Sequence, residues 1–134
     1  MATSSTQPSG GLRIFVVEDN EDTRNILSQL LQVMGHQVSS AGTIRQAVQD
    51  LRHTDVDVII SDLGLPDGEG YELLGQLSPS HPVYAIAMSG YGTLDDRERS
   101  AAVGFRHHLV KPMDIDKLES VLAEAAAERS LPRH

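Results

Sequence analysis

From Leu12 onward, short apolar runs alternate with stretches in which apolar residues recur every three or four positions. The runs predict β-strands and the spaced stretches predict amphipathic helices. Strands are predicted over residues 12–17, 36–41, 56–60, 83–88 and 105–110. The predicted core-facing helical positions are Ile26, Leu27, Leu30, Leu31 and Met34, then Ile44, Ala47, Val48 and Leu51, then Leu73, Leu74 and Leu77, and finally Ile115, Leu118, Val121, Leu122 and Ala125. A poorly amphipathic helix is predicted over 93–103, and Gly35 and Gly104 are suited to end helices.

Five strand–helix units in succession predict an α/β fold. Right-handed crossovers place helices on both faces of a parallel sheet. The order 2-1-3-4-5 puts the more polar second and fifth strands at the edges. The prediction is therefore a doubly wound five-stranded parallel sheet, a flavodoxin-like (βα)5 three-layer sandwich. Ligands of such sheets bind at the carboxyl ends of the strands.

Composition narrows the function. With 134 residues, the chain suits one domain over 12–129, with a flexible leader over 1–11 and a short tail over 130–134. The absence of cysteine excludes thiol catalysis, iron–sulfur ligation and disulfides. A net charge of −8 argues against direct nucleic-acid binding. No apolar run is long enough for membrane insertion, so a cytoplasmic location is predicted.

Chemically active residues follow four of the predicted strands. These strand exits carry Glu18-Asp19-Asn20, Ser61-Asp62, Ser89-Gly90 and Lys111-Pro112. Each group alone is an ordinary turn or loop sequence. Their coincidence at one edge of the sheet predicts a pocket that contains three carboxylates, a hydroxyl and an ammonium.

Such a pocket suits phosphoryl chemistry. Clustered carboxylates repel one another unless a cation neutralises them, and oxygen ligands without His or Cys favour Mg²⁺, with Mn²⁺ as an alternative. A carboxylate can attack phosphorus to give an aspartyl phosphate. The metal, Lys111 and Ser89 could then stabilise the oxygens of the transferring group.

The chain from Leu12 to about Glu128 resembles a receiver (response-regulator) domain of two-component signalling. The resemblance is carried by four segments in this order: 17–20 (VEDN), 62–68 (DLGLPDG), 87–90 (AMSG) and 110–112 (VKP). The sequence of residues 89–92 and 108–112 is most similar to that of the C-terminal receiver of a hybrid sensor histidine kinase. A stand-alone receiver is the other possibility for the context of this chain.

The resemblance implies roles for individual residues. Asp62 would accept a phosphoryl group from phosphohistidine, and Ser89 and Lys111 would contact the phosphate. Asp19, Asp62 and the Gly64 carbonyl would hold Mg²⁺, with Glu18 helping directly or through water. The peptide bond before Pro112 would be cis, which would direct the lysine inward.

The chain departs from the family pattern at the switch position. His108 occupies the place of the usual Tyr or Phe, whose ring moves inward when the Ser89 hydroxyl moves to the phosphate. Its polarity puts the aromatic half of that switch in question. Gly64 and Tyr91, two residues past Asp62 and Ser89, are expected to influence the phosphate lifetime.

The resemblance also implies partners. A histidine kinase or histidine phosphotransfer domain would donate the phosphoryl group. A downstream protein would bind the face formed by the fourth helix, fifth strand and fifth helix. Weak homodimerisation is left open. The domain would not be a conventional enzyme, because it would catalyse only its own aspartyl phosphorylation and dephosphorylation, although its parent chain could be a histidine kinase.

Three other functions fit the sequence less well. A haloacid dehalogenase-type Mg²⁺ phosphatase needs a second acid two residues after its nucleophile, where this chain has Gly64. A receiver that binds proteins without phosphorylation is disfavoured by the complete acidic set. A flavin carrier is disfavoured by the scarcity of aromatic residues, since the chain has two Phe, three Tyr and no Trp.

The remaining polar residues are predicted to be structural. His107 and His108 are adjacent on a strand, so they would point to opposite faces. Asp57 is expected near a strand start, or paired with a basic surface residue. The scattered histidines, including His36, are expected at the surface.

Overall fold

Five parallel strands form one sheet in the computed structural model, which describes residues 11–69, 71–76, 83–90, 98, 104–111 and 114–130. The strands are β1 (Arg13–Val17), β2 (Gln37–Ala41), β3 (Val58–Asp62), β4 (Tyr84–Ser89) and β5 (Phe105–Val110). Their order is β2-β1-β3-β4-β5, with every neighbouring pair parallel. The predicted order and the predicted doubly wound α/β class are confirmed.

Four helices connect or follow these strands in the described part of the chain. They are α1 (Glu21–Val33), α2 (Ile44–Leu51), α3 (Tyr71–Gln76) and the C-terminal helix (Ile115–Ser130). A small antiparallel ladder pairs Gly64–Leu65 with Gly68–Glu69 in the loop between β3 and α3. Almost all of the predicted leader and of the helix predicted over 93–103 lies outside the described residues, as do Leu77, Tyr91, Pro112 and residues 131–134.

The core consists of two apolar layers, one on each face of the sheet. On one face, α1 and the C-terminal helix cover Ile14, Val16, Val58, Ile60, Ile86 and Met88. On the other face, α2 and α3 cover Phe15, Val17 and Ile59. Because the central strands β1 and β3 are covered on both faces, residues 14–17 of β1 and 58–60 of β3 are continuously apolar in sequence.

Local capping fixes where two of the helices begin and where α1 ends. The Asn20 side chain accepts a hydrogen bond from the Thr23 N–H at the start of α1 (2.9 Å), and Thr43 does the same for Gln46 at the start of α2 (3.1 Å). Gly35 follows α1 with φ +100°, a conformation that glycine adopts at low energy. The predicted helix stop at Gly35 is confirmed.

The third strand begins later than predicted. The apolar run suggested residues 56–60, but β3 spans Val58–Asp62 and therefore includes the polar pair Ser61 and Asp62. Neighbours on both sides continue the ladder, with Ser61 opposite Val17 of β1 and Asp62 opposite Met88 of β4. Backbone pairing therefore extends the strand beyond its apolar residues.

Two predicted core positions and one predicted surface position were wrong. Ile26 is 67% exposed and Ile115 is 51% exposed, because α1 faces the sheet through Leu27 and Leu31, and Ile115 lies in the first turn of its helix. His36 is half-buried, and its Nδ1 accepts a hydrogen bond from the Leu12 N–H at 3.0 Å. Burial lowers the pKa of His36, which favours the neutral ring that this bond needs.

Replacing Leu31 tests the packing of α1. Leu31 is fully buried, so Leu31→Ala should lower the free energy of unfolding by about 2–5 kcal/mol, measured by urea denaturation. Val33 lies two residues away on the same helix and is 85% exposed, so Val33→Ala is the matched control, with an expected change within about 0.5 kcal/mol. Equal effects of the two substitutions would contradict this assignment of the buried helix face.

Candidate functional site

Lys111 joins two buried carboxylates at the carboxyl edge of the sheet. Its Nζ lies 2.6 Å from Glu18 Oε1, just after β1, and 2.6 Å from Asp62 Oδ2, at the end of β3. Glu18 is only 1% exposed and Asp62 only 7%. Residues separated by 49 and 93 positions along the chain therefore form one ion-paired group, as the strand-exit pattern predicted.

Backbone amides orient both carboxylates. The Asn20 N–H donates to Glu18 Oε2 at 3.0 Å, and the Gly64 N–H donates to Asp62 Oδ1 at 3.1 Å. Each carboxylate therefore has one oxygen held by the ammonium and the other by an N–H group. Such bonds stabilise the ionised form of a carboxylate.

The electrostatic balance differs between the two sides of the ion pair. Burial raises the pKa of Glu18, and the nearby charge of Asp62 adds to the rise, although Lys111 and the Asn20 N–H oppose it. Burial lowers the pKa of Lys111, but its hydrogen bonds to Asp62 and Glu18, with the charges of both, raise it above its ordinary value. Lys111 therefore stays charged, whereas removal of Glu18 from water makes its negative charge costly.

Asp19 completes an acidic cluster with Glu18 and Asp62. One carboxylate oxygen from each residue lies within 4.8 Å of the others. Asp19 is exposed while the other two are buried, so the cluster opens to solvent on the Asp19 side. All three acidic residues predicted for the site lie together.

Ser89 and His108 lie beside this cluster and contact each other. Ser89 ends β4, one residue after Met88, which is paired with Asp62. Its hydroxyl oxygen is 2.7 Å from Nε2 of His108 on β5. The Lys111 N–H donates to the Ser89 carbonyl oxygen at 2.8 Å, which ties the lysine to the same strand end. The two predicted switch residues are therefore in direct contact.

Two residues that support the site were not singled out from the sequence. The Asp67 carboxylate accepts hydrogen bonds from the N–H groups of Ile44 (2.9 Å) and Arg45 (3.0 Å), so it caps α2 from the loop that follows Asp62. These backbone bonds lower the pKa of Asp67. The Arg24 guanidinium donates to the Glu18 carbonyl oxygen at 2.8 Å.

The sequence offered a weak signal for Asp67 but none for Arg24. Asp67 lies in a Pro-Asp-Gly turn, where Asp commonly accepts backbone hydrogen bonds, although its partner lies 22 or 23 residues away. A Cβ on Gly42 would lie 2.9 Å from Arg24 Nη1, so the glycine leaves room for the guanidinium. Neither contact could be identified without knowing how the loops approach each other.

The other polar predictions have clear outcomes where the structure describes them. Asp57 lies just before β3, and its carboxylate bonds the backbone N–H (2.8 Å) and the guanidinium (3.0 Å) of Arg13, so its predicted structural role is confirmed. His107 Nε2 lies 2.8 Å from the Tyr84 hydroxyl, whereas His108 contacts Ser89. The two histidines therefore point to opposite faces, as predicted.

Comparison with known proteins agrees with this fold and site. The model of the response regulator receiver domain family matches residues 14–123. A 14.6 kDa protein of Leptolyngbya boryana is 33% identical over 104 residues, which cover 75% of this chain and 79% of that protein. The virulence sensor protein BvgS of Bordetella pertussis is 31% identical over 144 residues, but these are 98% of this chain and only 11% of BvgS.

A solved structure shows the same fold. It is the co-crystal structure of the Saccharomyces cerevisiae histidine phosphotransfer signalling protein Ypd1 with the receiver domain of its downstream response regulator Ssk1. The superposition has a TM-score of 0.80 with 21% identity, and covers 90% of this chain and 92% of the other.

The chain belongs to the response regulator receiver family of two-component signalling. The family model spans most of the sequence and includes every acidic residue of the cluster, Ser89 and Lys111. The alternative of a haloacid dehalogenase-type phosphatase is not favoured. Among the described residues, no helix combines the length and apolar character needed to cross a bilayer.

Removing the Lys111 ammonium should destabilise the metal-free protein in a pH-dependent way. Lys111→Met leaves Glu18 and Asp62 without their cation, so the free energy of unfolding at pH 7 should fall by about 1–3 kcal/mol. The pKa of Glu18 is raised, so the folded state binds its proton more tightly than the unfolded state does. The loss should therefore develop as pH rises through the pKa of Glu18. It should shrink at about pH 4, below the ordinary pKa of a Glu side chain, where Glu18 binds a proton.

Lys117, the other lysine of the chain, provides the control. It is exposed on the C-terminal helix, so Lys117→Met should change stability by less than about 0.5 kcal/mol at either pH. Urea unfolding followed by circular dichroism measures all four values. A Lys111→Met effect that does not depend on pH would contradict an electrostatic origin.

Proposed function

We propose that the chain is the phosphoacceptor of a two-component phosphorelay and that Asp62 accepts the phosphoryl group. One observation supports this most strongly: Lys111 Nζ lies 2.6 Å from both Glu18 and Asp62, in a cluster that Asp19 opens to solvent. A phosphoryl group arriving from solvent would meet a positioned carboxylate and a fixed ammonium.

The donor set suits Mg²⁺, with Mn²⁺ as an alternative. Three carboxylates offer oxygen ligands within 4.8 Å of one another, and Glu18, with its raised pKa, gains from a nearby cation. Glu18, Asp19, Asp62 and the Gly64 carbonyl would hold the ion. When bound, Mg²⁺ would neutralise the cluster and the negative charge on the phosphoryl oxygens.

The transfer itself requires a nucleophilic carboxylate oxygen and a good leaving group. An Asp62 oxygen uses a lone pair to form a bond to phosphorus while the bond from phosphorus to the donor's histidine nitrogen breaks. The electron pair of that bond stays on the nitrogen. The other ring nitrogen of the phosphohistidine carries a proton, so the imidazole leaves as a neutral ring. The Gly64 N–H holds the Asp62 carboxylate in place by its bond to Oδ1.

Lys111 and Ser89 would stabilise the product. The Lys111 ammonium lies against Asp62 and is within reach of an oxygen on a phosphoryl group attached there. The Ser89 hydroxyl, on the adjacent strand, would donate to a second oxygen. Gly64 and Tyr91 would flank the phosphate and influence its lifetime, and Tyr91 lies outside the described residues.

The proposed phosphodonor is a histidine kinase or a histidine phosphotransfer domain. The Ssk1 receiver, whose fold this chain shares, was crystallised with such a phosphotransfer protein. The chain spans 79% of the Leptolyngbya protein but 11% of the BvgS sensor, so its relatives include both a protein of similar length and a much larger sensor protein. Origin in a hybrid sensor kinase, and a cytoplasmic location, remain part of this proposal.

A downstream partner protein would bind the face that includes β5 and the C-terminal helix. Two side-chain contacts couple these elements, since Arg106 forms a two-bond pair with Glu128 (2.6 and 2.7 Å) and His107 lies 3.4 Å from Glu124. His108 on β5 contacts Ser89 beside the acidic cluster. A change at the site therefore has a short physical path to this face.

The phosphoacceptor assignment predicts the outcome of one labelling experiment. Incubation with acetyl phosphate and Mg²⁺ should add one phosphoryl group per chain, detected by intact-protein mass spectrometry, and Asp62→Asn should abolish the addition because an amide oxygen is a poor nucleophile. Asp116→Asn, at an exposed position on the C-terminal helix, should label like the parent protein. Labelling of Asp62→Asn at the parental rate would contradict the assignment.

Magnesium should stabilise the folded protein because the acidic cluster is assembled only in the folded state. At Mg²⁺ concentrations about 100 times the dissociation constant, the free energy of unfolding should rise by about 2.7 kcal/mol. Asp19→Asn should weaken this response and Asp116→Asn should leave it intact, as measured by thermal unfolding across a Mg²⁺ titration. A midpoint that does not depend on Mg²⁺ in the parent protein would contradict the metal assignment.

A further inference from the structure

We propose that His108 acts as a positioning residue through a hydrogen bond: when Asp62 is phosphorylated, Nε2–H of His108 donates to the Ser89 oxygen, and the Ser89 proton is directed to a phosphoryl oxygen. The inference rests on the proposed phosphoacceptor function. It assigns His108 a role that depends on its ring nitrogen, and a phenyl ring at this position could not perform it.

The strand register brings the two side chains together. His108 pairs with Ala87 of β4, and Ala87 and Ser89 are two residues apart, so their side chains lie on the same face of the sheet. The resulting diagonal contact measures 2.7 Å between Ser89 Oγ and His108 Nε2. Ser89 is 7% exposed, which shields this bond from competition by water.

The count of protons decides the direction of the bond. A serine hydroxyl has one proton to donate and lone pairs that accept, while each imidazole nitrogen is either a donor or an acceptor. If Ser89 donates to His108, its single proton is used and it can offer none to a phosphate. If His108 donates through Nε2–H, this contact does not use the Ser89 proton, which can then be directed to a phosphoryl oxygen.

A phosphorylated Asp62 would select the second arrangement. Phosphoryl oxygens only accept hydrogen bonds, so Ser89 must point its proton toward them. His108 must then carry its proton on Nε2 to keep the contact satisfied. Successive bonds in such a chain strengthen one another in a region sheltered from water. The phosphate would therefore fix both the orientation of the Ser89 hydroxyl and the direction of its hydrogen bond with His108.

The test uses beryllium fluoride with Mg²⁺ as the probe, since it forms a tetrahedral adduct on a carboxylate in place of the phosphoryl group. In protein labelled with ¹⁵N-histidine, the His108 Nε2 signal should lie in the range of a protonated ring nitrogen when the probe is bound. The signal is identified by its loss in His108→Gln. A bound state in which Nε2 has the shift of an unprotonated acceptor would overturn the inference.

Binding measurements on variants separate a hydrogen bond from ring packing. His108→Phe should weaken binding of the probe about fivefold, the effect of one lost hydrogen bond, and His108→Gln, whose amide can donate to Ser89, should recover most of the affinity. In a Ser89→Ala background, His108→Phe should have no further effect. An equal loss with and without Ser89 would show that ring packing is responsible and would overturn the inference.

Binding of the probe by the parent protein and by Asp62→Asn tests the phosphoacceptor assignment separately from the role of His108. If the parent protein binds the probe and Asp62→Asn does not, the phosphoacceptor assignment stands, and the His108 measurements then decide the inference alone. If the parent protein does not bind the probe at all, both the phosphoacceptor assignment and the role of His108 are overturned.

Discussion

The site depends on one ion-paired contact, in which the Lys111 ammonium bonds Glu18 and Asp62 at 2.6 Å each. Two carboxylates that are nearly inaccessible to water could not remain ionised side by side without a cation between them. The contact also joins the ends of β1, β3 and β5, which are distant in sequence. The same Lys111 contacts therefore compensate the buried negative charges and hold the strand ends next to one another.

The apolar layers on both faces of the sheet offset the free-energy cost of burying Glu18 and Asp62. Burial raises the pKa of Glu18, so its negative charge is unfavourable in the folded protein, and a bound cation would stabilise it. Val16, Ile59, Ile60 and Ile86 are fully buried on the strands that carry the acidic residues to the edge of the sheet, and their packing helps to keep these strands together. Arg24 and Asp67 fix the flanking loops by bonding backbone groups of Glu18 and of α2. The proposed chemistry at the edge of the sheet therefore depends on the packing of the core.

The contact between Ser89 and His108 joins the acidic site to strand β5. Adjacent side chains on a strand face opposite ways, so His108 faces Ser89 while His107 faces Tyr84 and Glu124 of the C-terminal helix. One strand therefore carries both the side chain that contacts the Ser89 hydroxyl and the side chain that contacts the C-terminal helix. In the proposed role of His108, a change at the Ser89 hydroxyl would reach β5 through a hydrogen bond.

The sequence by itself determined the number and order of the strands and the helix stop at Gly35. It also determined that the residues at the strand ends lie together at one edge of the sheet, namely Glu18, Asp19, Asp62, Ser89 and Lys111. The reason is that apolar periodicity and the residues that follow each strand are local properties, and only one arrangement of the strands satisfies all of them. Tertiary structure alone decided the rest. The ladder partners of β3 extended it through Ser61 and Asp62. Because α1 packs on the sheet through Leu27 and Leu31, Ile26 is exposed. The contacts made by Asp67, Arg24 and His36 depend on where a distant backbone passes, which no local pattern encodes.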